Sequence, residues 1–210
     1  MSEALTLYTH PLSRARITRW MLEECGATYD SVALEYGGSM KAPDYLAINP
    51  MGKVPALVHG RTVVTESAAI AAYLADLFPA QQLAPPLGSA ARGSYYRWLF
   101  FVAGPVEAAF SAQSQGFLAQ QTPEQALSAG YGRFEDVLRT LHQAVAGKRY
   151  LCGDQFTAAD LLMAGYLRWG TLTGVLPPQA AFSDYFEPLV ARAANVRAQQ
   201  MDDALLAAAG

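Results

Sequence analysis

The sequence predicts two regions of different fold class: a small α/β domain with the element order βαβαββα, then a domain made of helices alone. Strand-like segments occur only before residue 66, and every later apolar pattern has helical spacing. Between the two lies a segment rich in proline, glycine, glutamine and alanine, which is typical of a linker. We therefore predict domains at 1–79 and 89–210, joined by a linker at 80–88.

The α/β domain has seven predicted elements, whose ends are marked by glycine, proline or polar pairs. Gly26 is expected to end the first helix as a C-cap, and Gly60-Arg61 forms the turn of a hairpin. In chain order the elements are a strand at 5–8, a helix at 14–25, a strand at 31–34, a helix at 42–47, hairpin strands at 54–58 and 62–65, and a helix at 67–77.

The second domain has helical patterns at 89–120, 123–146, 157–170 and 184–208. At the start of the third region, Thr157 and Asp160 have the spacing of a capping box, in which the carboxylate reaches back to the threonine backbone N–H. Phe156 and Leu161 flank this pair as a hydrophobic staple. We therefore interpret Asp160 as structural rather than catalytic.

Composition excludes several classes of protein. Of 210 residues, 52% are hydrophobic and 16% are charged, which indicates a folded globular chain. The net charge is −3 and the 15 Lys and Arg residues are scattered, so we expect no nucleic-acid partner. No stretch approaches the roughly 20 apolar residues of a membrane span. The first apolar run is also too short for a secretion signal.

The cysteines and histidines do not suggest a metal site. Cys25 and Cys152 are far apart and form no metal or redox motif. His10 and His59 have no carboxylate or cysteine at metal spacing and are interpreted as loop residues, while His142 lies in a helix without a visible partner. We therefore expect a reduced, cytoplasmic protein that holds no metal.

The most informative segment is Asn49-Pro50-Met51-Gly52-Lys53-Val54-Pro55-Ala56-Leu57. Pro55 begins an apolar strand, although proline cannot donate a hydrogen bond to a sheet. We expect a cis Val54–Pro55 peptide bond that turns the backbone outward. The N–H and C=O of Val54 would then be free to pair with an extended ligand, as an added strand does.

A second binding motif follows at Glu66-Ser67, where a helix opens. Ser67 and the first helical N–H groups form an anion site, and Glu66 beside them can hold an ammonium group. A strand-like contact, an anion site and a cation holder suit a small peptide with an α-amino acid end. Glutathione, whose γ-glutamyl group is such an end, is the expected co-substrate.

Taken in order, these motifs resemble those of the cytosolic glutathione transferases, over nearly the whole chain. Asn49–Leu57 and Glu66-Ser67 are similar to the glutathione-site motifs of that family, and residues 22–26 resemble the end of its first helix. The run from Gly153 to Asp160 is similar to its helical capping motif. The resemblance implies a thioredoxin-like first domain, a helical-bundle second domain, a homodimer and a role in detoxification.

The resemblance also implies that a residue near the end of the first strand hydrogen-bonds the sulfur of glutathione and lowers its thiol pKa. Ser13 lies five residues after Tyr8, the spacing of the serine-using subclasses, at a helix N-terminus that favours a thiolate. We predict that Ser13 is catalytic. Two alternatives remain open: Ser13 only caps the helix, or Tyr8 activates the thiol. Arg14 stands where the cysteine-using subclass places its thiol, which argues against disulfide exchange by a protein cysteine.

The remaining implied contacts are less specific. Lys53 is expected to meet the glycyl carboxylate, and an exposed, solubilising lysine is the alternative there. Lys41 is a weaker candidate, because its loop varies in length within the family. The resemblance places the pocket for a small hydrophobic electrophile between the domains. Its aromatic candidates are Tyr95, Tyr96, Trp98, Phe101, Phe110, Tyr166 and Trp169.

The expected reaction is conjugation of glutathione thiolate to such an electrophile. Glutathione-dependent reduction or isomerisation is a second possibility, because the same half-site serves all of these reactions. A non-catalytic binding module is a third. Intact Val54-Pro55 and Glu66-Ser67 motifs argue against the last.

Overall fold

The computed structural model of the protein describes residues 3–209. Met1 and Ser2, which belong to the segment where we expected no secretion signal, and Gly210 lie outside the described residues. Contacts divide the chain into two units. One joins the N-terminal residues up to Leu83 to those from Ala191 onward, and the other is Ala84–Val190. The predicted limits instead grouped the last residues with the helical domain, and as domain limits they stay a prediction.

Within the described residues the first unit contains four strands and four α-helices, and its N-terminal part has the predicted order βαβαββα. The elements are β1 (Leu5–Thr9), α1 (Ala15–Cys25), β2 (Tyr29–Ala33), α2 (Pro43–Leu46), β3 (Ala56–His59), β4 (Thr62–Thr65), α3 (Ser67–Leu77) and, after the second unit, α10 (Ala193–Ala209). Gly26 has a left-handed conformation and caps α1, as predicted. β3 begins at Ala56, two residues later than predicted, because Pro55 has no N–H for the sheet.

The four strands form one sheet in the order β2-β1-β3-β4. β1 pairs parallel with β2 and antiparallel with β3, which pairs antiparallel with β4. This arrangement brings Thr9, Ala33 and Thr65, which end their strands, to the same end of the sheet as Ala56, which begins β3. We call this end, defined by those four residues, the cis-proline end.

Ion pairs hold α10 along α1 in the first unit. Arg19 of α1 and Asp202 of α10 are both buried, and Arg19 Nε donates to Asp202 Oδ1 at 2.8 Å. Near the end of α1, Arg192 donates from Nε and Nη2 to the Glu24 carboxylate at 2.6 and 2.8 Å. A buried arginine requires such a partner, since an unpaired charge inside a protein is strongly unfavourable.

The second unit is helical, as predicted. Its elements are α4 (Ala90–Phe101), a π-helical turn (Val102–Val106), α5 (Glu107–Ser114), α6 (Pro123–Ser128), α7 (Phe134–Val145), α8 (Ala158–Leu172) and α9 (Ala180–Val190). Among the described residues, no helix is both long and apolar enough to cross a membrane.

Three predicted helical regions are divided in the structure. The region 89–120 is interrupted by the π-helical turn, which contains Pro105, a residue without an N–H to donate. The region 123–146 is broken between α6 and α7, where Gly132 has a φ of 68°. The region 184–208 is helical as predicted but is divided into α9 and α10: α9 packs on α8, whereas α10 packs on α1, and the chain leaves the helix between them.

The predicted capping box at the start of α8 is confirmed. Thr157 donates from its backbone N–H and its hydroxyl to Asp160 Oδ2, each at 2.8 Å. Asp160 Oδ1 accepts from the Leu151 N–H and the Tyr185 hydroxyl, each at 2.7 Å. The carboxylate has no solvent exposure, so its role is to join four donors inside the unit.

Candidate functional site

The cis-proline end gathers the segments that the sequence singled out. The Val54–Pro55 peptide bond is cis, as predicted, and directly precedes Ala56. In the sheet, Ala56 lies between Tyr8 of β1 and Thr65 of β4. The chain therefore leaves β1 towards Ser13, and leaves β4 into Glu66, at the same end of the sheet where Val54 enters it.

The backbone N–H and C=O of Val54 are free of hydrogen bonds within the described residues, as predicted. The preceding carbonyl, that of Lys53, accepts from the Tyr45 hydroxyl and from Asn49 Nδ2, the latter at 2.8 Å. The loop is thus fixed on one side of Val54 while the backbone of Val54 itself stays available.

Gly52 makes this loop compact. Its φ is 56°, and a Cβ added there would lie 2.7 Å from the Met40 carbonyl oxygen and 2.8 Å from Lys41 Nζ. Lys41 Nζ also donates to the Met51 carbonyl at 2.9 Å. The segment around Lys41 therefore packs directly on the loop that carries Val54.

Glu66 and Ser67 form the entrance to α3. Glu66 is exposed and has a φ of 69°, a conformation that is strained for a residue with a side chain. Its carbonyl accepts from the Ile70 N–H at 2.9 Å, but its side chain forms no capping hydrogen bond. Ser67 is half-buried, and its hydroxyl has no hydrogen bond within the described residues. The first N–H groups of α3 are not capped by a side chain, which suits an anion.

Ser13 lies two residues before α1, whose N-cap residue is Arg14, and is half-buried. Its hydroxyl donates to the His10 carbonyl at 2.7 Å, and its Oγ accepts from the Ala15 N–H at 3.0 Å. The hydroxyl therefore sits at the first turn of α1, and it satisfies one of that turn's N–H groups. The N-cap residue of α1 is Arg14, so Ser13 binds the Ala15 N–H from one position further out, and both its capping role and its catalytic role stay predictions.

Tyr8, the alternative activating residue, belongs to an apolar cluster at the same end of the sheet. Its ring centroid is 5.4 Å from that of Tyr45. The cluster also contains Leu34, Met40, Ala56, Ile48 and Val54. The ring is therefore part of the packing beneath Val54, which is the ordinary role of an aromatic residue in a strand.

The two candidate lysines differ in their contacts. Lys53 is exposed, and its side chain forms no hydrogen bond or ion pair with the described part of the chain. Lys41 is exposed as well, but its ammonium group is bonded to Met51. Lys53 is thus the better placed of the two to meet a ligand carboxylate.

Neither cysteine belongs to the cis-proline end. Burial, and next the neighbouring Glu24 carboxylate, raise the pKa of Cys25, at the end of α1, to about 12. Burial raises the pKa of Cys152, in the second unit, to about 11. Both thiols are therefore protonated at neutral pH. Within residues 3–209 no group of His, Cys, Asp or Glu side chains is arranged to hold a metal ion.

The aromatic candidates for the electrophile pocket differ in exposure. Tyr95 and Phe110 have no solvent exposure, and Trp98 and Tyr166 are almost completely buried, so these four form the interior of the second unit. Tyr96 is 40% exposed. Phe101 and Trp169 are half-buried.

Sequence reasoning missed the role of two histidines. His59 is not a loop residue: it ends β3, and its Nδ1 lies 2.7 Å from the Tyr73 hydroxyl. His10 does precede a turn, but its ring Nδ1 accepts from the Leu12 N–H at 3.1 Å. The signal for His10 was a polar side chain two residues before the N–H it binds, a spacing common in turns.

The chain matches two family models, glutathione S-transferase, N-terminal domain, over residues 3–76, and glutathione S-transferase, C-terminal domain, over residues 96–192. Glutathione S-transferase GstA of Escherichia coli O157:H7 is 35% identical over 127 residues. That match covers 60% of this chain and 61% of the relative, which is less than two thirds of the relative's length.

Two further comparisons cover nearly the whole chain. The solved structure of a sphingomonad glutathione S-transferase complexed with glutathione has a TM-score of 0.75 and 27% identity, covering 94% of this chain and 98% of that one. Glutathione S-transferase GST-4.5 of Xanthomonas campestris pv. campestris is 31% identical over 198 residues, or 90% of this chain and 94% of that protein. With both domain models matched and a relative of this identity and coverage, the protein belongs to the glutathione S-transferase family of enzymes.

Proposed function

We propose that this protein binds reduced glutathione at the cis-proline end and transfers the glutathione thiolate to an electrophilic carbon of a small hydrophobic compound. The observation that carries the proposal is that two features lie at the same end of the sheet: the Val54 backbone, which forms no hydrogen bond within the described residues, and the entrance to α3, which has no side-chain cap. The register of β3 and β4 brings them together. A related protein, the sphingomonad transferase, was solved with glutathione bound.

Each part of glutathione has a proposed contact. The N–H and C=O of Val54 pair with the cysteinyl backbone, as one strand pairs with another. Ser67 and the first N–H groups of α3 hold the γ-glutamyl carboxylate, and Glu66 holds the ammonium group beside it. Lys53 meets the glycyl carboxylate, while Lys41 acts through the loop that it binds. Pro55 sets the direction in which the chain leaves Val54.

The proposed reaction starts when the bound thiol loses its proton to solvent. The Ser13 hydroxyl then donates a hydrogen bond to the thiolate, which lowers the thiol pKa and keeps the nucleophile ionised. The sulfur forms a bond to the electrophilic carbon, and the leaving group departs with the electron pair of the bond that breaks. No protein thiol takes part in this step, in keeping with the high pKa values of Cys25 and Cys152.

Calorimetric titration of the purified protein with reduced glutathione tests the binding step. We expect saturable binding of one glutathione per subunit, and we expect the loaded protein to form a thioether with a chlorodinitrobenzene. Absence of binding heat at two temperatures would favour a non-catalytic module. Binding without thioether formation would direct attention to glutathione-dependent reduction or isomerisation, which the same half-site could support.

Replacement of Ser13 by alanine tests the chemical step. We expect Ser13→Ala to lower kcat about 100-fold, because a single preorganised donor to a developing or stabilised anion has an effect of that order. The dissociation constant of glutathione should change far less, because the hydroxyl acts on the sulfur. Ser13→Thr keeps a hydroxyl and serves as the matched control. Unchanged kcat in Ser13→Ala, with a large loss in Tyr8→Phe, would transfer the role to Tyr8.

The family resemblance also supports a homodimer in the cytoplasm. Sedimentation velocity of the purified protein tests the assembly directly. We expect a species of twice the chain mass, and a monomer over a wide concentration range would contradict this part of the proposal.

A further inference from the structure

The turn that leads into α1 is held by His10. The His10 carbonyl oxygen accepts from the Ser13 N–H at 3.0 Å and from the Ser13 hydroxyl at 2.7 Å. Its ring Nδ1 accepts a third hydrogen bond, from the Leu12 N–H at 3.1 Å. One residue thus fixes this turn through both its main chain and its side chain.

The hydrogen bond from Leu12 specifies the state of the His10 ring. A backbone N–H can only donate, so Nδ1 carries a lone pair and the ring proton belongs to Nε2. In this state the imidazole acts on Leu12 as an asparagine side-chain oxygen acts in an Asx turn. The ring also contacts Tyr36, with 4.2 Å between the centroids and 47° between the planes.

We infer that His10 is a positioning residue for Ser13. The His10 ring closes the turn from His10 to Ser13 and so keeps the Ser13 hydroxyl at the N-terminus of α1. This inference rests on the proposed function. The Ser13 hydroxyl has one proton, which in the structure goes to the His10 carbonyl. A glutathione sulfur must compete with that carbonyl for the proton, and the ring bond to Leu12 sets where the carbonyl lies.

Two substitutions separate the ring's hydrogen bond from its packing. His10→Phe keeps a ring against Tyr36 but has no acceptor for the Leu12 N–H. We expect it to lower kcat about five- to tenfold, the effect of one ordinary hydrogen bond, with less than about a twofold change in the glutathione dissociation constant. His10→Asn supplies an oxygen at Asx-turn spacing and should recover most of the lost kcat.

A second histidine provides the matched control. His59 is also half-buried and hydrogen-bonded through Nδ1, but it lies at the opposite end of β3 from Ala56. We expect His59→Phe to leave kcat and glutathione binding unchanged. A loss in His59→Phe equal to that in His10→Phe would point to general destabilisation and overturn the inference.

Nuclear magnetic resonance of the free protein gives readouts that do not depend on turnover. We expect the His10 ring to be protonated at Nε2, and we expect the Leu12 amide to exchange with solvent about tenfold faster in His10→Phe than in wild type. Protonation at Nδ1 instead, equal amide exchange, or no recovery in His10→Asn would each overturn the positioning role. Absence of glutathione binding by wild type would instead reject the proposed function, and the positioning role with it.

Discussion

Two helix N-termini in this chain, those of α8 and α3, differ in where their polar groups find partners. At α8, Thr157 and Asp160 form a capping box, and the Asp160 carboxylate accepts four hydrogen bonds from the chain. At α3, Glu66 adopts a strained backbone conformation and forms no cap, and the Ser67 hydroxyl has no hydrogen bond within the described residues. The same kind of element has its polar groups hydrogen-bonded within the chain in one unit, whereas in the other it lacks a side-chain cap.

The polar groups at the start of α8 affect one another's pKa values. Burial raises the pKa of Asp160, while the hydrogen bonds from Leu151, Tyr185 and Thr157 oppose that effect. Burial, and next the Asp160 carboxylate, raise the pKa of Tyr185 well above its ordinary value, so its hydroxyl remains a donor. Removing the carboxylate would leave these buried donors without their shared acceptor, which is costly.

The largest expected effect comes from removing the Asp160 carboxylate at the start of α8. Asp160→Ala leaves three residues with donors that lack an acceptor, and we expect it to lower the free energy of unfolding by about 3–5 kcal/mol. Urea denaturation followed by circular dichroism measures this change. Asp154→Ala, in the exposed loop just before α8, is the control and should stay within about 0.5 kcal/mol of wild type. A loss below about 1 kcal/mol in Asp160→Ala would contradict the comparison.

Smaller effects are expected at the start of α3, where one substitution should increase stability and weaken glutathione binding. Glycine tolerates the φ of 69° at Glu66 without strain, so Glu66→Gly should raise the free energy of unfolding by about 0.5–1 kcal/mol. The same change removes the carboxylate proposed to hold the ammonium group, and it should weaken glutathione binding about 10- to 100-fold. Denaturation and calorimetry measure the two effects.

Gln82 allows the two effects at Glu66 to be separated. It is the other non-glycine residue with a positive φ among those described, at 55°, and it lies outside the proposed site. Gln82→Gly relaxes a backbone of this kind away from the site, and it should leave glutathione binding unchanged. Weakened binding in this variant would show that backbone relaxation, rather than loss of the carboxylate, accounts for the result at Glu66.

The smallest expected effect concerns the protein thiols. With pKa values raised by burial to about 12 for Cys25 and about 11 for Cys152, few thiolates exist near neutral pH. We expect iodoacetamide to leave both cysteines unmodified in the native protein at about pH 8, and to modify both after denaturation. Mass spectrometry reads this out. Rapid native modification of either cysteine would reopen chemistry based on a protein thiol.

Much of this structure could be predicted from local sequence patterns. The cis-proline motif, the Gly26 cap and the capping box at Thr157 were predictable because each depends on neighbouring residues. The division of 184–208 into two helices was not, because it depends on which distant surface each half packs against. Arg192, at that division, binds Glu24, and no spacing rule connects residues 168 apart in the chain.

The candidate site, too, could be predicted only in part from the sequence. The binding motifs at Val54 and Glu66 are local, and the sheet register brings them together. Whether the Ser13 hydroxyl faces a ligand or a carbonyl could not be predicted, because it depends on the three-dimensional course of the turn from His10. The role of Lys41 also needed the structure, since its partner is a carbonyl of a separate loop.

The ion pair between Arg19 and Asp202 has a consequence for how the protein is made. The two residues are 183 positions apart, so a ribosome adding about 5–20 residues per second needs roughly 10–40 s to supply Asp202 after Arg19. During that interval the second unit, Ala84–Val190, is synthesised in full, whereas α1 still lacks the helix that covers its buried arginine. The unit whose synthesis begins first is thus the one that is completed last.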